Sequence, residues 1–519
     1  MALFRYATTV GGYTMASRVL GFVRDILIAA LIGAGPVADA FFVAFRFPNM
    51  FRRLVAEGAF TAAFVPLFTA ELEKTGETSA RTFAEQTLAV LLSTLLAVLV
   101  LAEVAMPWLM YAIAPGFADE PFKFDLAIQF SRVTFPYLLF MALVALLGSV
   151  LNALYRFAAA AAAPILLNVF MIAALVVFAE RTATPGHALA WAVAAAGAGQ
   201  FLWLVFACHR AGMRLKLPRP RLTPGIRRLL ALMVPGAAAA GVYQINLLIS
   251  TVIASLLPTG AVSYLYYADR VNQLPLGVVG VAVGVALLPL VSRQLRASQA
   301  EAAMDSQNRA LEVSLLLTLP AAAALLTIPL PIVTVLFERA EFGPSDSLAT
   351  AMALAAFASG LPAYVLVKVL SPGFFAREDM VTPLKIAAVS VATNTALSLL
   401  LIGPLAHVGI ALATALAGWL NAGLLAVILS RRGFLEFDRR FKRRLPRMVL
   451  SSAGMGALLW LGAMGLAGPL EGPLGLRVAA LAALVAGGLM LFALLAQLTG
   501  AARLGDLKLA LRRPRTGAA

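Results

Sequence analysis

The sequence predicts an all-α membrane protein with fourteen transmembrane helices, and three observations support this fold class. The 519-residue chain is 61% hydrophobic, with a mean hydropathy of +0.90. Only 13% of its residues are charged, against about a quarter in an average soluble protein. Apolar stretches long enough to cross a bilayer as helices recur along the whole chain. We place the spans at 8–33, 37–70, 86–113, 127–151, 159–179, 187–208, 229–257, 261–291, 311–337, 347–375, 382–402, 407–430, 448–467 and 475–499.

The sequence offers little material for catalysis or for a metal site. Cys208 is the only cysteine, which excludes disulfides and cysteine-based zinc sites. The three histidines are far apart, and no phosphate-binding loop, nucleophile elbow or HExxH motif is present. We therefore expect a protein that is not an enzyme, has no catalytic residue, and needs no metal or cofactor.

The positive charge is distributed in a way that predicts topology. The net charge is +16, and most of the 41 Lys and Arg residues fall in alternate loops, mainly 210–228 and 431–447, and in the tail 501–519. The opposite loops hold only Lys123, Arg181, Arg339 and Arg477. By the positive-inside rule, both termini are predicted to be cytoplasmic. The basic loops are explained by topology and by anionic lipids, so we expect no nucleic-acid partner.

An internal repeat divides the chain into two lobes. Landmarks of the first half recur in order, at nearly constant separation, in the second. The pairs are Gly35-Pro36-Val37 with Gly260-Ala261-Val262, Phe64 to Leu67 with Leu287 to Leu290, Pro107 with Pro331, Pro136 with Pro362, and Pro164 with Pro383. We predict an amino-terminal lobe at 1–215, a carboxy-terminal lobe at 222–432, an extra helix pair at 445–500 and a basic tail at 501–519. Two six-helix lobes in the same orientation form a parallel repeat, which is typical of transporters that hold cargo between the repeats.

The first, second and eighth spans carry charged residues, and arginine is the commonest. A charge in hydrocarbon is costly, so such residues usually face a water-filled cavity. Guanidinium groups bind phosphate in a planar, bidentate fashion, which suggests an anionic and phosphorylated cargo. Pro48 in the second span predicts a kink there. Gly21 lies on the same side of the first span as its charges, and its lack of a side chain would let a ligand or a neighbouring backbone come close. The polar residues are Ser17, Arg18, Arg24 and Asp25 on the first span, Asp39, Arg46, Asn49, Arg52, Arg53 and Glu57 on the second, and Ser263, Tyr267, Asp269, Arg270 and Gln273 on the eighth.

Structural roles for these charges are an alternative interpretation. The pairs Arg24/Asp25, Arg18/Asp39 and Asp269/Arg270 could be ion pairs that lock the lobes or form gates. The cluster Arg52, Arg53 and Glu57 could instead lie at the cytoplasmic membrane surface. Arginines nevertheless outnumber the neighbouring acids, which favours an anionic cargo over a cationic drug.

The last two spans lie outside the repeat and are almost uncharged. They are rich in glycine, including Gly454, Gly456, Gly462, Gly465, Gly487 and Gly488. Small residues permit close helix packing, and they also leave shallow apolar grooves. We predict a groove here for the long hydrocarbon tail of a lipid cargo; a purely structural role is the alternative.

Several motifs closely resemble the MurJ (MviN) family of lipid II flippases, within the multidrug/oligosaccharidyl-lipid/polysaccharide exporter superfamily. The resemblance covers essentially the whole chain. The motifs are Ser17 to Asp25, Ala38 to Asn49, Arg52 to Phe60, Ala114-Pro115-Gly116-Phe117, Tyr266 to Arg270 and Lys368 to Phe375.

The resemblance implies a V-shaped, two-lobed inner-membrane protein. Its cargo would be lipid II, undecaprenyl-pyrophosphate linked to a disaccharide-pentapeptide, moved from the cytoplasmic to the periplasmic leaflet for peptidoglycan synthesis. The cell-wall synthesis machinery would be its further partner. The substrate-binding residues implied are Arg18, Arg24, Arg52, Arg270, Asn49 and Ser263. The gate or ion-pair residues implied are Asp25, Asp39, Glu57 and Asp269.

One position departs from the family pattern. Gln273 stands where an acidic residue is expected four residues after Asp269, so Arg270 loses a potential partner. The seventh and eleventh spans contain no acid, so no cation site is assigned, and coupling to membrane potential or to a monovalent cation stays open. The alternative functions are a flippase for another polyprenyl-pyrophosphate glycan and a multidrug exporter of the same superfamily.

Overall fold

The computed structural model describes the backbone of residues 2–54 and 60–502, and these residues form helices and turns with no named strand. Contacts divide the chain into two compact units. The first comprises residues 1–263 with Arg339–Gly343, and the second comprises Tyr264–Glu338 with Pro344–Ala519. The predicted all-α fold class is confirmed.

In its described residues, the amino-terminal unit is a bundle of nine α-helices. Helix α1 packs on α7 and α8, while α2 packs on α5, α6, α8 and α9. The short segment Arg339–Gly343 joins this unit, with the Glu341 amide donating to the carbonyl of Ala30 at 3.1 Å. The helices are α1 (Ala2–Ile32), α2 (Pro36–Leu54), α3 (Phe60–Thr75), α4 (Glu77–Ile113), α5 (Pro121–Thr134), α6 (Tyr137–Ala153), α7 (Phe157–Phe178), α8 (Pro185–Arg210) and α9 (Pro224–Ser255).

The other nine α-helices of the described chain belong to the second unit. Its core joins α11, α14, α15 and α16 through buried side chains such as Leu315, Val369, Leu429 and Met448. The helices are α10 (Ala261–Arg296, whose first three residues belong to the first unit), α11 (Ala300–Thr327), α12 (Pro329–Phe337), α13 (Pro344–Ser359), α14 (Leu361–Phe375), α15 (Val381–Arg431), α16 (Arg439–Gly465), α17 (Ala467–Glu471) and α18 (Leu474–Thr499).

Three proline positions of the predicted repeat lie at or beside helix breaks, whereas Pro107 and Pro164 lie inside continuous helices. The fourth predicted span is interrupted at Pro136, between α5 and α6, and the tenth is interrupted beside Pro362, between α13 and α14. The ninth span is divided between α11 and α12, close to Pro331. Proline cannot donate a helical hydrogen bond, so it marks the places where a helix ends or bends. Helix α2, in contrast, continues through Pro48, and the kink expected there stays a prediction.

The count of fourteen spans stays a prediction. Among the described residues, nine helical segments are long and apolar enough to cross a membrane. One of them, α15, contains both the eleventh and the twelfth predicted spans. The two halves of α15 are separated by a kink at Ala406, whose backbone angles are not helical (φ 47°, ψ −131°). Helix α16 begins at Arg439, nine residues before the predicted span, so much of the basic run 431–447 is helical. Contacts group α9 with the amino-terminal unit; the lobe boundaries derived from the repeat remain a prediction.

Candidate functional site

Helix α1 carries a buried ion pair rather than a row of solvated charges. Arg24 is 4% exposed and Asp25 is 2% exposed. The Arg24 Nε and Nη2 atoms donate to Asp25 Oδ1 at 3.0 and 2.7 Å. The Asn168 side chain on α7 accepts from Arg24 Nη1 at 3.0 Å and donates to the Ser17 carbonyl at 2.9 Å. Two side chains thus hold Arg24 inside the amino-terminal unit.

Sequence reasoning missed Asn168. It is a single amide in an apolar helix, and nothing in its spacing relates it to α1. Its side chain lies beside Gly21, where a Cβ atom would be 3.6 Å from the amide group. The small residue predicted to admit a ligand or a neighbouring backbone therefore faces the Asn168 side chain.

Arg18 differs from Arg24 in its surroundings. It lies two turns earlier on α1, is exposed, and has no ion pair among the described residues. The predicted pair between Arg18 and Asp39 is not formed in this structure.

Asp39 instead binds the start of α10. It is 1% exposed, and its Oδ2 accepts from the Gly260 amide at 2.7 Å. Its Oδ1 accepts from the Ser263 amide at 2.9 Å and from the Ser263 hydroxyl at 2.6 Å. The first amides of a helix have no intrahelical partner and carry partial positive charge, so a carboxylate is well stabilised there. Ser263, predicted to bind substrate, is wholly buried in this contact.

The remaining predicted residues of α2 are only partly described. Arg46 is half-buried and donates to the hydroxyl of Thr251 on α9, and Asn49 is half-buried. The side chains of Arg52 and Arg53 and all of Glu57 lie outside the described residues.

In the second unit, Arg270 and Asp269 have neighbours on their own helix. Arg270 donates through Nε and Nη2 to the Tyr266 hydroxyl at 3.2 and 3.1 Å, and its guanidinium lies 5.1 Å from the centre of that ring. Gln273 donates to Asp269. The residue that departs from the family pattern therefore provides Asp269 with a hydrogen-bond donor, a role that an acid at this position would fill only when protonated.

A lysine that the topology analysis placed in a loop is also part of the buried polar structure. Lys123 on α5 is 1% exposed, and its Nζ donates to Glu120 Oε1 at 2.6 Å and to the Thr259 hydroxyl at 2.8 Å. Thr259 precedes α10, so Lys123 and Asp39 hold adjacent parts of the same turn.

The two extra helices, α16 and α18, pack tightly against each other. A Cβ atom at Gly462 would lie 3.1 Å from Leu484 on α18, and one at Gly488 would lie 3.1 Å from Leu459 on α16. These glycines serve the contact between α16 and α18. A Cβ at Gly487, in contrast, would meet no atom within 4 Å. The predicted tail groove, if it uses glycines of α18, must use those facing away from α16.

A buried acid anchors α16, and only the basic run itself points to this contact in the sequence. Glu312 on α11 is 4% exposed and accepts from Arg309 on its own helix and from Arg440 and Arg444 on α16. Part of the basic run therefore has a structural role in addition to its predicted roles in topology and lipid contact.

Side chains that could ligate a metal ion do not cluster in the described part of the chain. Over residues 2–54 and 60–502, no group of three or more His, Cys, Asp or Glu side chains is placed to hold a metal ion.

Comparison with known proteins agrees with the motifs. Residues 28–467 match the family model described as lipid II flippase MurJ. The chain is 46% identical over 519 residues to a probable lipid II flippase MurJ of Rhizobium meliloti (strain 1021), covering 99% of this chain and 97% of that protein. It is 49% identical over 463 residues to the corresponding protein of Rhizobium tropici, covering 88% and 87%.

Solved structures show the same fold. A lipid II flippase MurJ in an inward closed conformation superposes with a TM-score of 0.77 at 23% identity, covering 96% of this chain and 99% of that one. An inward-facing multidrug resistance transporter of the MATE family, from the MOP superfamily, gives a TM-score of 0.70 at 14% identity over 82% of this chain and 98% of its own. With the family model and these relatives in agreement, the chain belongs to the MurJ family of lipid II flippases.

Proposed function

We propose that this chain carries lipid II from the cytoplasmic to the periplasmic leaflet of the bacterial inner membrane by alternating access. Membership of the MurJ family, matched over residues 28–467, supports the cargo. The basic runs at 210–228 and 431–447 support an orientation with both termini in the cytoplasm. Transport makes and breaks no covalent bond, so we assign the charged residues to binding and gating and none to catalysis.

The observation that carries the proposal is the positive charge left over on α1. Asp25 neutralises Arg24, and Asp39 is bound to the amides of α10 instead of to an arginine. Arg18 is exposed and has no ion pair among the described residues. A cation on an apolar helix is stabilised best by water and an anionic ligand, and the pyrophosphate of lipid II is such a ligand.

Arg24 is proposed to contribute in a second step. Arg24 is 4% exposed, and its Nε, Nη1 and Nη2 atoms all donate to Asp25 or Asn168, so a phosphate cannot reach its guanidinium in this conformation. Contact with the pyrophosphate requires the guanidinium to leave Asp25. The remaining phosphate contacts are proposed for Arg52 and Arg270, with Asn49 as a polar companion.

The contact between Asp39 and the first turn of α10 is proposed as a gate. It consists of three hydrogen bonds from Gly260 and Ser263 to one carboxylate, so it can break as a unit. The positive-inside orientation puts this turn on the periplasmic side.

Membrane potential is proposed as an energy source. Moving one elementary charge across ~100 mV is worth about 2.3 kcal/mol. Because the pyrophosphate is anionic, a potential that is negative inside favours outward movement. Vesicles with an imposed potential of this sign should transport faster than vesicles without one, and equal rates would remove potential from the mechanism.

A depletion strain tests the function. Cells depleted of their own lipid II flippase should accumulate lipid II in the cytoplasmic leaflet, and expression of this chain should return the accumulated amount to normal. Measuring transport of another polyprenyl-pyrophosphate glycan and of a cationic dye in the same strain tests the two alternative cargoes. Continued accumulation of lipid II despite normal membrane levels of the chain would reject the proposal.

A further inference from the structure

The transport proposal uses no residue of the motif Ala114-Pro115-Gly116-Phe117, but the structure shows a packing role for it. Residues Pro115–Asp119 form a short 3-10 helix between α4 and α5. A Cβ atom at Gly116 would lie 2.2 Å from the carbonyl oxygen of Ser255 and 2.6 Å from Cα of Leu256. Only glycine fits without displacement, so the motif seats the carboxyl end of α9 by direct backbone contact.

Lys123 extends this contact to the turn that follows α9. Its ammonium lies 4.5 Å from the centre of the Phe117 ring and donates to Glu120 and Thr259. The Thr259 hydroxyl accepts from Lys123 and lies 2.8 Å from each Glu120 carboxylate oxygen. The three side chains therefore form a closed hydrogen-bonded ring that joins α5 to the turn.

The turn fixed in this way is the one that presents its amides to Asp39. Thr259 is adjacent to Gly260, whose amide donates to Asp39, and Ser263 follows within one helical turn. A hydrogen bond to a charged group is stronger than one between neutral groups, so the Lys123 ring restrains the position of Gly260.

We propose that Lys123, seated on the 3-10 helix Pro115–Asp119, is a positioning residue that holds the turn between α9 and α10 in place for Asp39. This inference rests on the proposed function, since it makes Lys123 a determinant of how readily the periplasmic end of the amino-terminal unit opens during transport. Lys123 touches no substrate; it acts through the turn.

The substitution Lys123→Met isolates this role. Methionine keeps an apolar stem of similar length against Phe117 and removes the ammonium. The Glu120 side chain is 46% exposed, so its carboxylate stays solvated when the ammonium is removed, and the variant leaves no unpaired charge buried at this place. The matched control is Arg181→Met, which removes an exposed cation stacked on Phe178 on the same predicted side of the membrane.

The measurement is cysteine labelling from outside on a Cys208→Ser background. A cysteine at Ala261, which is buried in the first turn of α10, reports opening of the turn. A cysteine at Asp119 provides the reference for full accessibility on that side. We expect Lys123→Met to raise the labelling rate at position 261 about tenfold, equal to ~1.4 kcal/mol. Arg181→Met should leave the rate unchanged.

A second variant and a second background keep the test decisive. Thr259→Val removes only a hydroxyl of the same ring, so it should also raise the rate, and it replaces Lys123→Met if that variant fails to accumulate. In an Asp39→Asn background, Lys123→Met should add little, because both changes release the same turn. Equal labelling rates in wild type, Lys123→Met and Thr259→Val would overturn the inference, as would full additivity with Asp39→Asn.

Lipid II transport by the same proteins separates the two claims. If wild type moves lipid II while labelling is unaffected by Lys123→Met, the positioning role fails and the proposed function stands. If labelling changes as expected and wild type moves no lipid II, the proposed function fails and the restraint on the turn stands.

Discussion

Removing Arg24 should destabilise the protein chiefly through the acid it leaves behind. In Arg24→Ala, Asp25 keeps its buried position and loses the guanidinium that donates two hydrogen bonds to it. Breaking a buried ion pair from one side costs about 3–5 kcal/mol, because a charge remains in a poorly solvated place. The double variant Arg24→Ala/Asp25→Asn removes that charge. It should therefore recover more than half of the loss.

Unfolding free energies of the three proteins in mixed micelles measure this effect. The single variant should unfold most easily, and the double variant should lie between it and wild type. Asn168→Ala, which removes only the amide contact to Arg24, should cost about 1 kcal/mol. A double variant no more stable than Arg24→Ala would refute the importance of the Arg24–Asp25 pair. If Arg24→Ala is less stable than wild type, its loss of transport is not evidence that Arg24 binds substrate, whereas loss of transport in a stable double variant is.

Two further predictions concern the cargo. Arg18→Ala should leave the unfolding free energy within about 0.5 kcal/mol of wild type, because Arg18 is exposed. It should lower the initial rate of lipid II transport at least fivefold relative to Arg228→Ala, an exposed control on the predicted cytoplasmic side. Equal transport by the two variants would remove Arg18 from the site. Gly488→Trp should prevent normal packing of α16 on α18, seen as a lower melting temperature, while Gly487→Trp should fold normally and slow only long-tailed substrates. Equal slowing of short- and long-tailed substrates by Gly487→Trp would contradict a tail groove at that face.

The helices could be predicted from sequence because apolar runs are a local signal. The interruptions beside Pro136 and Pro362 could not, because proline alone does not decide where a helix ends: Pro107 and Pro164 lie inside continuous helices. Helix α16 begins nine residues before the span predicted at 448–467, because part of the basic run is helical and Glu312 on another helix neutralises part of its charge.

The state of each polar side chain could not be predicted in the same way. Spacing placed Arg24 and Asp25 on one side of α1 but could not show that both would be buried, since that depends on Asn168, 144 positions away. Lys123 looked like an ordinary loop residue because its partner Thr259 lies 136 positions away. Tertiary partners decide whether a charge in an apolar segment is a ligand, a gate or a structural pair.

Transport of lipid II by the purified protein tests the central claim most directly. The chain would be reconstituted into vesicles with labelled lipid II in one leaflet, and the appearance of the label in the opposite leaflet would be followed over time. We expect transport by wild type and by Arg228→Ala, and strongly reduced transport by Arg18→Ala at equal protein content. Redistribution no faster than in protein-free vesicles, from protein shown to be folded, would contradict the account.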